Sequence, residues 1–123
     1  MPTFPEISRA VAQFAADRDW DQFHSPKNLA MALSVEAGEL LEHFQWLTEQ
    51  ESAELDDRRL ELVAEEIADV QIYLIRLADR LGVDVLDAAA SKIEKNNAKY
   101  PADRVRGSAK KYSDYDEGPA GES

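Results

Sequence analysis

The longest apolar pattern in the chain is a stripe that repeats with the period of an α-helix over residues 57–81. Its members are Leu60, Val63, Ala64, Ile67, Val70, Leu74, Leu77, Ala78 and Leu81. Because residues three or four positions apart lie on one face of a helix, this spacing predicts a long helix with one broad buried face. Gly82 follows the last member and is suited to end the helix in a left-handed conformation.

Three further helices are predicted around this long one. They span residues 5–17, 26–47 and 85–99. Thr3 is a candidate cap for the first, Ser25 followed by Pro26 is a strong start signal for the second, and Asp84 is a candidate cap for the last. Residues 48–59 are mostly polar and predict a loop with a short helical turn. The sequence therefore predicts an all-α, four-helix-bundle-like fold.

Composition and charge exclude several classes of protein. The chain has 123 residues, no cysteine and a formal net charge of −11. A thiolate metal site is therefore impossible, and the charge argues against a nucleic-acid polymer as partner, since such binding needs a basic surface. No apolar run approaches the roughly 20 residues that span a bilayer, so no membrane contact and a cytoplasmic location are expected. One folded domain is expected over residues 1–101, followed by a polar, flexible tail over residues 102–123.

Two pairs of carboxylates interrupt the predicted helices. Glu36 and Glu39 lie one turn apart on the second helix, and Glu66 and Asp69 lie one turn apart on the third. Like charges on a semi-apolar face are costly unless a cation neutralises them, and a hard divalent ion such as magnesium prefers oxygen ligands. Spacing alone equally allows solvated surface acids, and it does not decide between Glu65 and Glu66.

The connector between the first two helices is unusually aromatic. It carries Trp20, Phe23 and His24 where connectors are normally polar. One interpretation is that the rings fold back and close the end of the bundle. The other is a pocket for an aromatic ligand such as a nucleobase, which stacks on rings.

Polar side chains on the last two helices are candidates for the rest of a ligand site. Tyr73 and Arg76 continue the strip that begins with Glu66 and Asp69. Lys92 and Asn96 are either part of a solvated helix face or, beside a metal site, donors to phosphate oxygens.

Two other classes of protein fit the pattern of acids less well than a divalent-metal site does. A di-iron carboxylate bundle needs Glu-x-x-His motifs, but His43 comes four residues after Glu39. A non-catalytic acidic helical module that binds partner helices explains the stripes and the charge. It does not explain carboxylates placed on an apolar stripe.

The acidic motif, taken with its flanking segments, resembles the MazG-like all-α nucleoside triphosphate pyrophosphohydrolases, and in particular their dCTP pyrophosphatase branch. Beside Glu36-x-x-Glu39 and Glu66-x-x-Asp69, the similar segments are residues 14–28, 39–46, 69–74 and 91–101. The resemblance implies the MazG-like all-α fold and a homodimer or homotetramer. It also implies a magnesium cofactor, with manganese as a substitute, held by Glu36, Glu39, Glu66 and Asp69.

The same resemblance implies a set of substrate-binding residues. Those expected to contact the nucleotide are Trp20, Asp21, Gln22, Phe23, His24, Trp46, Tyr73, Lys92 and Asn96. Two positions depart from the branch: Val11 stands where a histidine is usual, and Lys99 stands where an arginine is usual. Both departures concern contacts to the substrate and leave the acids in place.

The activity implied is hydrolysis of a nucleoside triphosphate to a monophosphate and pyrophosphate. The expected substrate is dCTP or a modified dCTP, which corresponds to sanitation of the nucleotide pool. A broader specificity for nucleoside triphosphates is the alternative. Glu39 or a neighbouring acid of the cluster is the candidate for orienting the attacking water.

Overall fold

The computed structural model describes residues 1–108, and in this range the chain is helical without a β-strand. The helices are α1 (Phe4–Asp17), α2 (Pro26–Glu42), α3 (Glu49–Ala53), α4 (Asp57–Leu81), α5 (Val85–Lys99) and α6 (Ala102–Val105), with one 3₁₀ turn at Asp21–Phe23. The predicted all-α class is confirmed. No helix in this part of the chain is both long and apolar enough to cross a membrane.

The helix ends follow local signals in the sequence. Thr3 and Glu6 form a capping box at the start of α1, and the Ser25 hydroxyl accepts a hydrogen bond from the Asn28 amide at the start of α2. Gly82 ends α4 with φ of 70°, a left-handed conformation that glycine adopts without steric cost. These three predictions are confirmed.

The second helix ends earlier than predicted. It stops at Glu42, and the chain continues through turns instead of reaching residue 47. The carbonyl oxygen of His43 accepts a 2.8 Å hydrogen bond from the Arg59 guanidinium. A side chain sixteen residues away thus binds this carbonyl, and no periodic pattern in the sequence indicates such a contact.

The chain forms two compact units, Met1–Asp84 and Val85–Ser123. In the first unit α4 packs against both α2 and α1. The apolar residues buried in the described part of the chain are Ala15, Leu29, Val63, Ile75 and Ala78. In the second unit, α5 and α6 are described. The segment predicted as a flexible tail therefore begins with a short helix, and its remainder, residues 109–123, lies outside the described residues.

Candidate active site

Three carboxylates meet where α2 packs against α4. Oxygen atoms of Glu36, Glu39 and Glu66 all lie within 4.8 Å of one another, and all three residues are half-buried. Helical spacing places the first two on one face of α2, and helix packing brings the third to them from α4. Glu65, which the spacing alone also allowed, is exposed. The packing thus brings Glu66 to the cluster and leaves Glu65 outside it.

Crowding of negative charge changes the protonation of the cluster. Burial raises the pKa of Glu36 to about 7, and its interaction with Glu66 and the charges of Glu39 and Asp69 act in the same direction. The charge of Glu66, followed by burial, raises the pKa of Glu39. One oxygen of Glu66, Oε1, is buried and has no hydrogen-bond partner among residues 1–108. An unpaired buried carboxylate oxygen among like charges fits a divalent cation, which needs oxygen ligands and offsets the repulsion.

Without a bound cation, the stability of the protein should depend on the protonation of Glu36. The pKa of Glu36 is about 7 in the folded protein, whereas its ordinary value, which applies to the unfolded chain, is 4.5. Between these two pH values the folded state holds a proton that the unfolded chain has lost. The stabilisation is complete below the lower pKa and is lost as the pH rises through the upper one. In EDTA, the melting temperature should therefore fall as the pH rises from about 4.5 to about 7, and it should level off above about pH 8.

Glu36→Gln provides the control for this pH dependence, because glutamine has the same shape and does not titrate. The fall should be much smaller in this variant. Calorimetric melting of both proteins over the same buffers measures it. Equal pH dependence in the two proteins would show that other groups cause the fall.

A cavity of about 460 Å³ lies beside the carboxylate cluster. Its apolar side comes from α1 and the connector, with Val11, Phe14 and Trp20, and α4 contributes Asp69 and other polar groups. Asp69 lines the cavity, and its charge also raises the pKa of Glu36 and Glu39. The cavity and the carboxylate cluster are therefore parts of one site, with Asp69 between them.

Local backbone geometry turns the aromatic connector toward the cavity. Asp19 has φ of 55°, and the Trp20 amide donates a 2.9 Å hydrogen bond back to the Ala15 carbonyl, which closes the end of α1. The Trp20 ring then meets the Phe14 ring edge-on, with centroids 5.7 Å apart. Both rings line the cavity, and an aromatic ring is a surface on which a nucleobase can stack.

Polar contacts from α2 and α4 hold the second half of the connector. Asn28 donates a 3.0 Å hydrogen bond to the Phe23 carbonyl, and Arg80 donates one of 3.2 Å to the His24 carbonyl. The Arg76 guanidinium binds the Asp21 carboxylate and donates a 3.1 Å hydrogen bond to Nδ1 of His24. The connector is thus bound to the helix that carries Glu66 and Asp69.

The structure brings only some of the predicted substrate residues together. Trp20, His24 and Tyr73 line the cavity. The other predicted residues of the first unit, which do not line it, are Asp21, Gln22, Phe23 and Trp46. The Gln22 amide is bound to Asp19, and Trp46 is 86% exposed on the turn after α2. Lys92 and Asn96 are exposed on α5 in the second unit, and their contact with phosphates stays a prediction.

Comparison with known proteins places the chain in a family. A model of the MazG-like family matches residues 31–115. The chain belongs to the MazG-like family. It is 46% identical over 124 residues to dCTP pyrophosphatase 1 of Rattus norvegicus, covering 99% of this chain and 73% of that protein. The human protein of the same name is 45% identical over 123 residues, covering 98% and 72%.

A solved structure agrees with the sequence relatives. A pyrophosphatase from Archaeoglobus fulgidus superposes with a TM-score of 0.75 at 44% identity, covering 79% of this chain and 91% of that one. Family membership and the all-helical fold, both predicted from the sequence, are therefore confirmed.

Proposed function

We propose that the protein hydrolyses dCTP, or a modified dCTP, to the nucleoside monophosphate and pyrophosphate with magnesium as cofactor. The observation that carries the proposal is the position of Asp69, which lines an aromatic cavity and lies beside three clustered carboxylates. A single nucleotide could then contact the aromatic side of the cavity with its base and the carboxylate cluster, through a metal ion, with its phosphates. The MazG-like membership and the relatives named dCTP pyrophosphatase 1 support this substrate class.

The residues of this chain divide the work as follows. Glu36, Glu39 and Glu66 would hold the cation, with Asp69 beside them as a fourth carboxylate. When bound, a divalent cation offsets the charge of phosphate oxygens and lowers the pKa of a coordinated water. Trp20 offers its ring face to the base and fixes the orientation of the nucleotide relative to the acids. A carboxylate that does not hold the cation, such as Asp69, can accept the proton of the attacking water.

A panel of nucleoside triphosphates assayed for pyrophosphate release tests the proposal. Release from dCTP should be fastest, should stop when EDTA removes the metal, and should return with magnesium, and with manganese as a substitute. Similar rates for all bases would favour the broader specificity that the sequence also allows. The absence of release from every nucleotide would overturn the proposal.

We also infer that the protein works as a homo-oligomer. Leu60, Ile67, Leu74 and Leu81 recur every seven residues along α4, and between 37% and 56% of each residue is exposed in the single chain. Such a stripe matches the spacing by which two helices pack against each other. A second copy of the same chain supplies a matching surface, and a dimer or a tetramer satisfies it.

A further inference from the structure

A buried arginine lies beneath the aromatic connector. Arg76 is only 4% exposed, one turn along α4 from Tyr73. A buried guanidinium is costly unless its donors are paired. Its Nε donates to Nδ1 of His24 at 3.1 Å, one terminal nitrogen binds Asp21, and the other lies 3.4 Å from the Asp79 carboxylate. The sequence places this cation on the strip that begins with Glu66, and it does not show that the guanidinium is buried.

The contact with Arg76 determines which nitrogen of His24 carries a proton. Every N–H of a guanidinium is a donor, so Nδ1 of His24 must accept with its lone pair. A neutral imidazole has one acceptor and one donor, which leaves the proton on Nε2. The His24 ring lines the cavity, and in residues 1–108 Nε2 has no hydrogen-bond partner. The cavity therefore contains an N–H group that is available to a ligand.

The surroundings of the ring keep it neutral. Burial and the positive charge of Arg76 lower the pKa of His24, and Arg80 adds to the effect while the Asp21 carboxylate opposes it. At neutral pH the ring therefore keeps a single proton, and the contact with Arg76 holds that proton on Nε2.

We propose that Arg76 is a positioning residue that holds His24 as its Nε2–H tautomer, so that the cavity offers a fixed donor to an acceptor atom of the nucleotide base. A pyrimidine base such as cytosine carries acceptors of this kind in its carbonyl oxygen and its unprotonated ring nitrogen. The inference rests on the proposed function for the identity of the ligand. The tautomer itself depends only on the contacts within the chain.

Arg80 provides a matched control for Arg76. It lies one turn further along α4 and contacts the same histidine, but it binds the backbone carbonyl and not the ring. Arg80→Lys thus perturbs the anchoring of His24 without affecting the acceptor role of Nδ1. Arg76→Lys keeps the charge, and a single ammonium group cannot reproduce the fork that joins His24 to Asp21.

Nitrogen-15 NMR of the nucleotide-free protein reads the tautomer directly. The chain has two histidines, so His43→Gln leaves the His24 ring as the only imidazole signal. We expect the proton on Nε2, a shift toward the Nδ1–H form or a mixture in Arg76→Lys, and no change in Arg80→Lys. A proton on Nδ1 in the parent protein overturns the proposal, as does an Arg76→Lys spectrum identical to that of the parent. The first of these outcomes needs no arginine variant to fold.

Kinetics with dCTP test the link to substrate binding. Loss of one oriented hydrogen bond should raise KM about 3- to 10-fold in Arg76→Lys and leave kcat within about twofold. Arg80→Lys should stay within about twofold of the parent in both constants. Glutamine at position 24 places an amide donor near the Nε2 position without help from Arg76, so adding Arg76→Lys to His24→Gln should raise KM no further. A further rise equal to that in the parent would overturn the positioning role.

The two sets of measurements separate the inference from the proposed function. If no nucleotide releases pyrophosphate, the proposed function is wrong, but NMR of the nucleotide-free protein still decides whether Arg76 holds the His24 tautomer. If dCTP is hydrolysed but the proton lies on Nδ1, the proposed function holds and the role of Arg76 is wrong.

Discussion

Replacing Glu66 with glutamine is expected to reduce pyrophosphate release from dCTP by about a thousandfold, because a loss of about 4 kcal/mol of metal-dependent stabilisation corresponds to that factor. Of the three carboxylates in the cluster, Glu66 is the one that comes from α4. Its Oε1 atom is buried and has no hydrogen-bond partner in residues 1–108. Glutamine keeps the shape but carries no charge and presents an amide where the metal needs an anionic oxygen. Steady-state kinetics at saturating magnesium measure the loss.

The same substitution should have the opposite effect on the metal-free protein. The charge of Glu66 is the largest cause that raises the pKa of Glu39, so its removal relieves repulsion inside the cluster. In EDTA, Glu66→Gln should therefore melt at a higher temperature than the parent protein. Magnesium should raise the melting temperature of the parent and leave that of the variant almost unchanged.

Glu65→Gln is the matched control for this prediction. The change is chemically identical and one residue away, but Glu65 is exposed and outside the cluster. Its activity should stay within about twofold of the parent, as is usual for surface substitutions. Full activity in Glu66→Gln, or an equal loss in Glu65→Gln, would contradict the assignment of Glu66 to the metal site.

The helices could be predicted from the sequence because their signals are local. A capping residue acts within three positions, as Ser25 does for Asn28, and a glycine such as Gly82 ends a helix by its own backbone freedom. The sequence did not indicate where α2 ends: the helix stops at Glu42, and the carbonyl of His43, the next residue, is bound by the distant Arg59. Contacts of this kind have no periodicity, so the pattern that predicts a helix cannot show them.

In the candidate site too, local spacing could be predicted from the sequence, whereas contacts between helices could not. Spacing could place Glu36 and Glu39 on one helical face, but the choice of Glu66 over Glu65 depends on how α4 is rotated against α2. Arg76 illustrates the limit more sharply. The spacing placed Arg76 on the strip that begins with Glu66, but its burial follows from the connector that folds over it, and the spacing does not show this.

The apolar stripe of α4 consists of a part that is buried within the chain and a part that is exposed. Val63 and Ala78 are buried within the chain, whereas Leu60 and Leu81 remain more than half exposed. Periodicity identifies residues that avoid water, but it does not say whether the same chain or another copy covers them. An exposed apolar row along a helix of this length is the mark of an interaction surface.

Replacing Leu60 and Leu81 together with glutamate is therefore expected to convert a homo-oligomer into monomers at micromolar concentration. The two leucines stand at opposite ends of α4, so a partner packed along the stripe meets at least one of them. Covering the exposed half of one leucine side chain contributes about 0.75 kcal/mol. A dimer has four such side chains, two from each copy, so together they contribute about 3 kcal/mol, or roughly a hundredfold in the dissociation constant. Burying the introduced charges weakens the contact further.

Light scattering after size exclusion measures the mass of the particle in solution. Arg58→Glu, a charge change at an exposed position on the same helix, is the control. A monomeric parent protein, or a variant that keeps the parent mass, would mean that the stripe is not the contact between copies.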